Sequence, residues 1–338
     1  MKMLVTGGLG FIGSHTVVEL QNEGYEVVII DNCSNSSPDV LDRITNITGK
    51  KPIFEKIDLR EKDKVQDFFS RHTDVEGVIH FAASKAVGES VENPLLYYEN
   101  NISTLVYILQ ELQKKNTANF IFSSSCTVYG QADELPITEN APVKVAESPY
   151  GNTKQIGEEI IKDTCKVTPN VKAIALRYFN PIGAHPTAEI GELPIGVPQN
   201  LVPFITQTAI GMREQLSVFG NDYPTKDGTC IRDYIHVVDL AKAHVSALQR
   251  LVNDKNKENY EVFNVGTGTG STVLEVIQSF EKVAQQKLKH QIVERRPGDI
   301  TAAYADTTKA NNELEWKAQS SLDEALASAW KWEQKVRN

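Results

Sequence analysis

The chain has 338 residues, 41% hydrophobic and 23% charged, which is ordinary globular composition. Its 35 basic and 44 acidic residues give a net charge of -9 without a long basic run, which argues against a nucleic-acid partner. No apolar run reaches the ~18 residues of a membrane span, and the sequence does not open on a secretory signal pattern. The cysteines Cys33, Cys126, Cys165 and Cys230 are scattered, without metal-ligand spacing. We therefore expect a soluble, cytoplasmic protein with reduced thiols and no nucleic acid, membrane or metal as partner.

The first half of the chain alternates short apolar runs with amphipathic stretches. Strands are predicted over 3–6, 26–30, 52–56, 77–81, 120–123 and 172–176, and helices over 11–23, 62–70, 94–115 and 150–165. Strands without polar alternation suit a sheet covered on both faces. The pattern predicts an α/β fold with a Rossmann-type, doubly wound parallel sheet.

The second half has a different texture. Residues 181–233 hold many Gly and Pro, which predicts a loop-rich second lobe. Helices are then predicted near 238–251, 273–285, 307–314 and 322–336, with a strand over 261–265. We expect one domain from residues 1–180 plus about 234–266, and a smaller mixed α/β C-terminal lobe from 181–233 and 267–338.

A glycine-rich loop follows the first strand and opens the first helix. Gly7 permits a tight turn, Gly10 lets the backbone approach a pyrophosphate, and Gly13 allows close packing of the helix. Asp31 ends the second strand, where an acidic residue binds the adenosine ribose and repels a 2′-phosphate. The loop therefore predicts NAD as cofactor. Asp58 is either an adenine contact or a plain loop residue.

Tyr150 and Lys154 form a Tyr-x-x-x-Lys pair, so the two side chains share one helix face. Ser148 suits the N-cap and Pro149 the first helical residue, which places Tyr150 in the first turn. A nearby ammonium, the helix end and a cationic nicotinamide would lower the pKa of the phenol and make it a base. Residues 123–125, all serine, end the fifth strand at the edge where ligands bind.

The whole chain resembles the extended short-chain dehydrogenase/reductase superfamily and, within it, the UDP-glucose 4-epimerases. The motifs that carry the resemblance are TGGLGFIGSHT (6–16), DN (31–32), HFAASKAVGES (80–90), YYENN (97–101), SSSCTVYG (123–130), SPYGNTK (148–154), LRYFNPIGAH (176–185), FGNDYPTKDGT (219–229), IRDYIHVVDLA (231–241) and RRPGD (295–299). The motifs after the glycine loop are the more discriminating ones.

The resemblance implies a role for each matching position. The catalytic residues would be Tyr150 as base, Lys154 holding the nicotinamide ribose, and Ser125 bonding the sugar O4. The NAD site would comprise Gly7, Gly10, Phe11, Ile12, Gly13, Asp31, Asn32, Asp58, Leu59, Phe81, Ala82, Lys85, Asn100, Tyr150, Lys154 and Tyr178. The C-terminal lobe would be the substrate lobe, and the UDP-hexose site would comprise Ser125, Tyr150, Asn180, Asn200, Leu201, Phe219, Arg232, Arg296, Asp299 and Ala303.

The resemblance also implies a reaction. The C4 hydride of the sugar passes to NAD, the 4-keto sugar turns about its diphosphate linkage, and the hydride returns to the opposite face. This would interconvert UDP-glucose and UDP-galactose. The small Ala303 leaves room at C2 and predicts that N-acetylated substrates are also accepted. A homodimer through helices near 94–115 and 150–165 is implied as well.

Two other functions remain open at this point. A nucleotide-sugar 4,6-dehydratase would carry acidic residues where this chain has Cys126 and Thr127, neither of which is a carboxylate. A non-catalytic NAD-binding sensor would not need Ser125, Tyr150 and Lys154 together. Both alternatives are therefore disfavoured by the residues present.

Overall fold

The computed structural model describes residues 1–296 and 298–337, so Pro297 in the RRPGD motif and Asn338 at the end of the predicted second lobe lie outside the described residues. The strands are β1 (Lys2–Thr6), β2 (Glu26–Asp31), β3 (Ile53–Lys56), β4 (Val75–His80), β5 (Ala118–Ser125), β6 (Val171–Tyr178), β7 (Asn180–Ile182), β8 (Leu216–Phe219), β9 (Ile231–His236), β10 (Tyr260–Val265), β11 (Gly270–Thr272), β12 (His290–Val293) and β13 (Ala302–Ala303). The helices are α1 (Phe11–Asn22), α2 (Val40–Thr48), α3 (Lys62–Arg71), α4 (Val87–Glu92), α5 (Pro94–Tyr98), α6 (Thr104–Leu112), α7 (Pro149–Val167), α8 (Leu201–Ala209), α9 (Val237–Val252), α10 (Val273–Ala284), α11 (Thr308–Glu313) and α12 (Leu322–Arg337).

Seven strands form one parallel sheet in the order β10-β6-β5-β4-β1-β2-β3. Alternate residues of β1 point to opposite faces, with Met3 and Val5 in one apolar core and Leu4 in the other. Helices α1 and α9 supply the first core, and α3, α6 and α7 the second. The predicted doubly wound Rossmann-type sheet is confirmed.

The chain reverses its winding direction between β1 and β4, which are neighbours in the sheet. The ends of β1 and β4 are joined there by a side-chain hydrogen bond, with Thr6 Oγ1 2.8 Å from His80 Nδ1. In open α/β sheets, ligands bind outside the carboxyl ends of the strands at such a reversal point. This edge is therefore where the glycine loop and the end of β5 should meet a ligand.

A second set of elements packs around β9, which pairs with β7, β11 and β13, while β8 pairs with β12. Helices α8, α10 and α12 cover these strands with buried apolar residues such as Ile205, Phe280 and Leu326. The loop-rich segment predicted over 181–233 contains α8, β8 and the start of β9, while residues 183–200, 210–215 and 220–230 lie outside helices and strands. Pro203 is compatible with α8 because it occupies the first turn, where a proline leaves no hydrogen bond unmade.

The helix predicted over 94–115 is interrupted. A π-helical turn, Glu99–Ser103, lies between α5 and α6. Such turns often occur at functional sites because they re-aim side chains. Here the turn contains Asn100 and Asn101.

The thiols of all four cysteines are free. No helix among the described residues is both long enough and apolar enough to cross a lipid bilayer. The same residues contain no cluster of three or more His, Cys, Asp or Glu suited to hold a metal ion.

Candidate active site

The glycine loop makes a turn that a larger side chain would disrupt. Gly7 has φ +67°, and a Cβ on it would lie 2.8 Å from the amide nitrogen of Ala82. A Cβ on Gly13 would lie only 2.2 Å from the carbonyl oxygen of Gly7, so Gly13 packs against the loop itself. Gly10 is the N-cap of α1 and brings no side chain to the helix end. The first amides of a helix lack intrahelical partners, so the loop presents N–H groups, including those of Phe11 and Ile12, suited to a pyrophosphate.

The Asp31 carboxylate lies beside this loop and is only 7% exposed. One oxygen accepts from the amide of Leu9 at 3.1 Å. The other accepts from the amide of Cys33 and the hydroxyl of Ser36, both at 2.9 Å. Asp31 therefore joins the glycine loop to the loop after β2, at the position predicted for the adenosine ribose.

Asp58 follows β3 and forms an ion pair with Arg60. The Arg60 guanidinium donates to both carboxylate oxygens, the shortest distance being 2.7 Å, and this pair lowers the pKa of Asp58 to about 2. Asn32 Nδ2 donates to the same carboxylate at 3.5 Å, and Leu59 beside it is buried. Asp58 is thus an ionised group bordering the adenosine side of the site.

The loop after β4 is held against β1 and the π turn. The amides of Phe81 and Ala82 donate to the carbonyl and hydroxyl oxygens of Thr6. Asn100 Nδ2 donates to Ser84 Oγ at 3.2 Å. Asn101, which the sequence reasoning did not select, accepts from Ser84 N at 2.8 Å and donates to Thr153 Oγ1 of α7 at 3.0 Å.

Helix α7 begins as predicted. Ser148 is the N-cap, its hydroxyl accepts from the amide of Gly151, and Pro149 is the first helical residue. Tyr150 therefore lies in the first turn, and Lys154 lies one turn further along the same face. Lys154 Nζ is 5.8 Å from the centre of the Tyr150 ring.

The end of β5 faces these two side chains. Lys154 Nζ donates to the carbonyl of Ser123 at 2.7 Å, and Ser123 Oγ is hydrogen bonded to the Tyr178 hydroxyl at 2.6 Å. Ser125 Oγ accepts from the amide of Thr127 at 3.2 Å. The phenol of Tyr150, the ammonium of Lys154 and the hydroxyl of Ser125 thus lie close together at the carboxyl edge of the sheet.

The electrostatics at Tyr150 differ from the sequence prediction. Burial raises the pKa of its phenol well above the usual range, the neighbouring Tyr178 adds to the rise, and hydrogen bonding from Ser125 opposes it. Burial also lowers the pKa of Lys154 to about 8. In the protein alone, desolvation therefore outweighs the ammonium and the helix end, because burial disfavours both charged forms.

Four residues predicted to hold UDP form one cluster. Arg296 donates to Asp299 Oδ1 at 2.9 Å, and Arg232 lies 3.5 Å from the same oxygen. The Arg296 guanidinium lies 5.6 Å from the centre of the Phe219 ring, which is 40% exposed. Two cations, one anion and an accessible aromatic ring are thus held together.

Asn180, Asn200 and Leu201 reach the site from two elements: Asn180 begins β7, Asn200 is the N-cap of α8, and Leu201 is its first residue. Asn200 Nδ2 donates to Glu192 Oε1 at 2.6 Å, and Lys85 Nζ lies 3.6 Å from that same oxygen. Glu192 was missed by the sequence reasoning, although it connects a residue predicted for NAD with one predicted for UDP-hexose.

Ala303 lies in β13 beside Arg232, its strand partner. It is only 4% exposed and packs in an apolar cluster with Tyr129, Phe179 and, at its margin, Cys126. Its methyl group therefore borders the short turn that follows Ser125.

Known proteins resemble this chain over nearly its whole length. Residues 4–329 match the family model described as GDP-mannose 4,6 dehydratase. A Bacillus subtilis (strain 168) protein named UDP-glucose 4-epimerase is 50% identical over 333 residues, which cover 98% of this chain and 97% of that protein. This chain belongs to the UDP-glucose 4-epimerase family.

Solved structures with the same fold agree with this family. A UDP-glucose 4-epimerase from Stenotrophomonas maltophila, with bound NAD and formylated UDP-arabinopyranose, has a TM-score of 0.96 and 45% identity, covering 100% of this chain and 99% of its own. One from Bifidobacterium longum, in complex with NAD+ and UDP, has a TM-score of 0.95 and 46% identity with the same coverage. The resemblance inferred from the motifs is confirmed.

The broad family model carries a dehydratase description, but the dehydratase alternative is not favoured. In this member of the epimerase family, Cys126 and Thr127 form the start of a 3-10 turn directly after Ser125. Burial raises the pKa of the Cys126 thiol to about 12, so it stays protonated at neutral pH. Neither position supplies the acidic side chain that dehydration requires.

Proposed function

We propose that this chain catalyses the reversible epimerisation of UDP-glucose and UDP-galactose at C4 of the hexose. The observation that carries the proposal is the arrangement of Tyr150, Lys154 and Ser125 at the carboxyl edge of the sheet, together with the pair Arg232 and Arg296 on Asp299, of which Arg232 acts on the Cys126 thiol next to Ser125. The non-catalytic sensor alternative is disfavoured because a sensor has no need for this set of reacting groups.

The residues around the reacting oxygen would each have a different role in the reaction. Tyr150 takes the proton of the 4-hydroxyl and returns it, and Ser125 donates a hydrogen bond to the sugar O4. Lys154, held by the Ser123 carbonyl, supplies positive charge beside the phenol and a donor toward the nicotinamide ribose. Because burial raises the pKa of Tyr150, a positively charged partner is needed for the phenol to act as a base.

The cofactor site fits NAD. The glycine loop leaves no room for a Cβ at Gly7 or Gly13, and the helix end offers N–H groups to the pyrophosphate. The Asp31 carboxylate would accept hydrogen bonds from the ribose hydroxyls and would repel a 2′-phosphate. Phe81, Ala82, Lys85, Asn100 and Tyr178 would border its nicotinamide half. When bound, NAD supplies a positively charged ring that takes up and gives back the hydride of C4.

The cluster around Asp299 would anchor UDP so that only the hexose turns. Arg232 and Arg296 share Asp299, which orients both guanidinium groups while leaving a net positive charge for the diphosphate. Phe219 would stack on uracil, and Asn180, Asn200 and Leu201 would complete the site. Binding energy from UDP would thus be used to hold the ketone intermediate while its sugar presents either face.

We extend the proposal to N-acetylated substrates. Ala303 is one of the small residues of the apolar cluster that has Cys126 at its margin, and a larger side chain at this position would project toward the substituent at C2. UDP-N-acetylglucosamine and UDP-N-acetylgalactosamine are therefore proposed as further substrates.

The wider organisation follows from the same proposal. Residues 1–180 with about 234–266 would bind NAD, since their strands build the parallel sheet, and 181–233 with 267–338 would bind UDP-hexose. A cytoplasmic homodimer is proposed, with α5–α6 and α7 as the contact. Its support is the exposed apolar side chains of Val91, Leu95 and Leu96 at one end of this surface.

Purified protein incubated with UDP-galactose, without added oxidant or reductant, should form UDP-glucose, identified by NMR of the products. Tyr150→Phe should lose at least about a hundredfold in kcat, the size of a general-base contribution, and still contain NAD. Bound NAD without any turnover by the unmodified protein would instead favour the sensor. Full activity of Tyr150→Phe would remove the phenol from its role.

A further inference from the structure

Helix α7 carries a third ionisable side chain on the same face as Tyr150 and Lys154. Glu158 follows Lys154 by four residues, as Lys154 follows Tyr150, so the three side chains occupy successive turns of one face. Glu158 is only 7% exposed. A buried carboxylate needs a specific reason and specific partners, because desolvation of a charge is costly.

The partners of Glu158 come from both strands that end at the site. Ser124 Oγ donates to Glu158 Oε1 at 2.5 Å. Arg177 Nε donates to the same oxygen at 2.9 Å, and the Arg177 terminal nitrogen donates to Oε2 at 2.5 Å. Arg177 also donates to the Tyr129 hydroxyl at 2.9 Å. The carboxylate therefore links α7 to the last residues of β5 and β6.

The hydrogen bond from Ser124 to Glu158 holds a residue that is adjacent in sequence to two residues of the site. Ser124 lies between Ser123, whose carbonyl holds Lys154, and Ser125, whose hydroxyl faces the substrate. Ser124 points to α7, where its hydroxyl meets Glu158, while Ser125, the last residue of the strand, has its hydroxyl hydrogen bonded to Tyr150. Fixing Ser124 therefore fixes the direction of Ser125 without occupying the substrate site.

We propose that Glu158 is a positioning residue of the active site, which sets the end of β5 through Ser124 and provides the negative charge that balances the Lys154 ammonium. This inference rests on the proposed function. Glu158 is not expected to touch substrate or cofactor.

The charge argument depends on what else surrounds the pair. Among the described residues, the titratable and charged groups that act on Tyr150, Lys154 or Glu158 are His80 on β4, Tyr97 on α5, Cys126 and Tyr129 after β5, Arg177 and Tyr178 on β6, and Tyr260 on β10. Burial keeps His80 neutral by lowering its pKa to about 3. Glu158 raises the pKa of Lys154, opposing the larger effect of burial.

The test is Glu158→Gln in the full-length, NAD-containing enzyme. Removing a negative charge lowers the pKa of every nearby group, so both limbs of the pH profile of kcat/KM should move to lower pH, by about half a unit or more. We expect kcat to fall about tenfold or more, and KM for UDP-galactose to change less than threefold, because the UDP contacts lie elsewhere. Glu158→Asp keeps the charge and should restore the pH profile.

The chain offers a closely matched control. Arg250 and Glu261 form a second buried ion pair, with distances of 2.7 and 2.9 Å and exposures of 6% for both residues. Glu261→Gln should lower the melting temperature about as much as Glu158→Gln, yet leave the pH profile in place. If the two variants lose the same activity with unmoved profiles, Glu158 is only structural and the proposal is wrong.

A milder variant covers the case in which Glu158→Gln does not fold. Ser124→Ala removes one hydrogen bond and leaves the ion pair intact. It should reduce kcat about fivefold or more with unchanged KM, as expected for loss of positioning. Unchanged kcat in Ser124→Ala would overturn the coupling through β5.

A spectroscopic readout separates this inference from the proposed reaction. The ultraviolet titration of Tyr150, taken as the difference between the unmodified protein and Tyr150→Phe, should shift to lower pH in Glu158→Gln. This shift without any epimerisation by the unmodified protein would remove the proposed function and support the role of the Glu158 charge. Epimerisation by the unmodified protein, together with an unshifted Tyr150 titration in Glu158→Gln, would support the proposed function and overturn the role of the Glu158 charge.

Discussion

Ala303 is the small residue that we propose sets the width of the substrate site. It belongs to a buried apolar cluster that contains Tyr129 and Phe179 and has Cys126 at its margin. The ring of a larger residue would have to displace these neighbours, and we expect it to extend toward the substrate site that Ser125 borders. Close-packed interiors accommodate added volume only by such displacement.

We expect Ala303→Tyr to lower kcat/KM for UDP-N-acetylgalactosamine at least about tenfold relative to that for UDP-galactose, because steric misfit at one group is worth this much. Ala303→Ser is the matched control and should keep the ratio of the two activities. The measurement is product formation from each substrate separately. An unchanged ratio in Ala303→Tyr, with the protein folded, would contradict the proposed acceptance of N-acetyl groups.

Among the elements, the β1–loop–α1 unit tolerates the least change. A methyl group on Gly13 would meet the Gly7 carbonyl at 2.2 Å, so α1 must shift away from the loop that would hold the pyrophosphate. Gly13→Ala should therefore reduce the NAD content of the purified protein about tenfold or more, since overpacking of this kind costs ~1–3 kcal/mol. NAD released by denaturation and measured by chromatography is the readout.

Gly88→Ala is the control for this experiment. Gly88 lies in α4, where an added Cβ would have no atom within 4 Å. Alanine there should leave the NAD content unchanged, because it meets open space and has the higher helix propensity. Equal NAD content in Gly13→Ala and the unmodified protein would show that the close approach in the loop is not required.

Elements whose signals are local could be predicted from the sequence. The seven-stranded sheet, the turn at Gly7 and the N-cap at Ser148 follow from periodicity, glycine spacing and capping chemistry. The β8–β12 pair and the contact of Arg232 with Asp299, 67 residues away, depend on long-range packing that no local pattern reports. Glu158 could also have been selected from the sequence, because it follows Lys154 at the same four-residue spacing at which Lys154 follows Tyr150.

The pKa of Tyr150 could not be predicted because burial is a property of the assembled fold. The sequence identifies Lys154 and the helix end as neighbours that favour phenolate, but not the degree to which both side chains lose contact with water. Desolvation outweighs those neighbours in the folded protein.

For the whole molecule, a net charge of -9 must coexist with a doubly charged substrate. The two arginines that share Asp299 provide local positive charge where the overall charge is unfavourable. Because both arginines belong to the proposed UDP-hexose lobe and Tyr150 to the proposed NAD domain, substrate would bridge the two.

The proposed homodimer can be tested at one exposed side chain. Leu95 is the second residue of α5 and is 80% exposed, with Val91 at 62% close by in the chain. Apolar side chains this exposed on the proposed contact surface would be covered by a second copy of the chain. Leu95→Glu should therefore shift the mass measured by sedimentation from dimer to monomer, because a carboxylate buried without a partner is strongly disfavoured. Val145→Glu, at a position that is 90% exposed in a loop outside these helices, should remain dimeric. Monomeric unmodified protein, or a Leu95→Glu variant that stays dimeric, would exclude this surface as the contact.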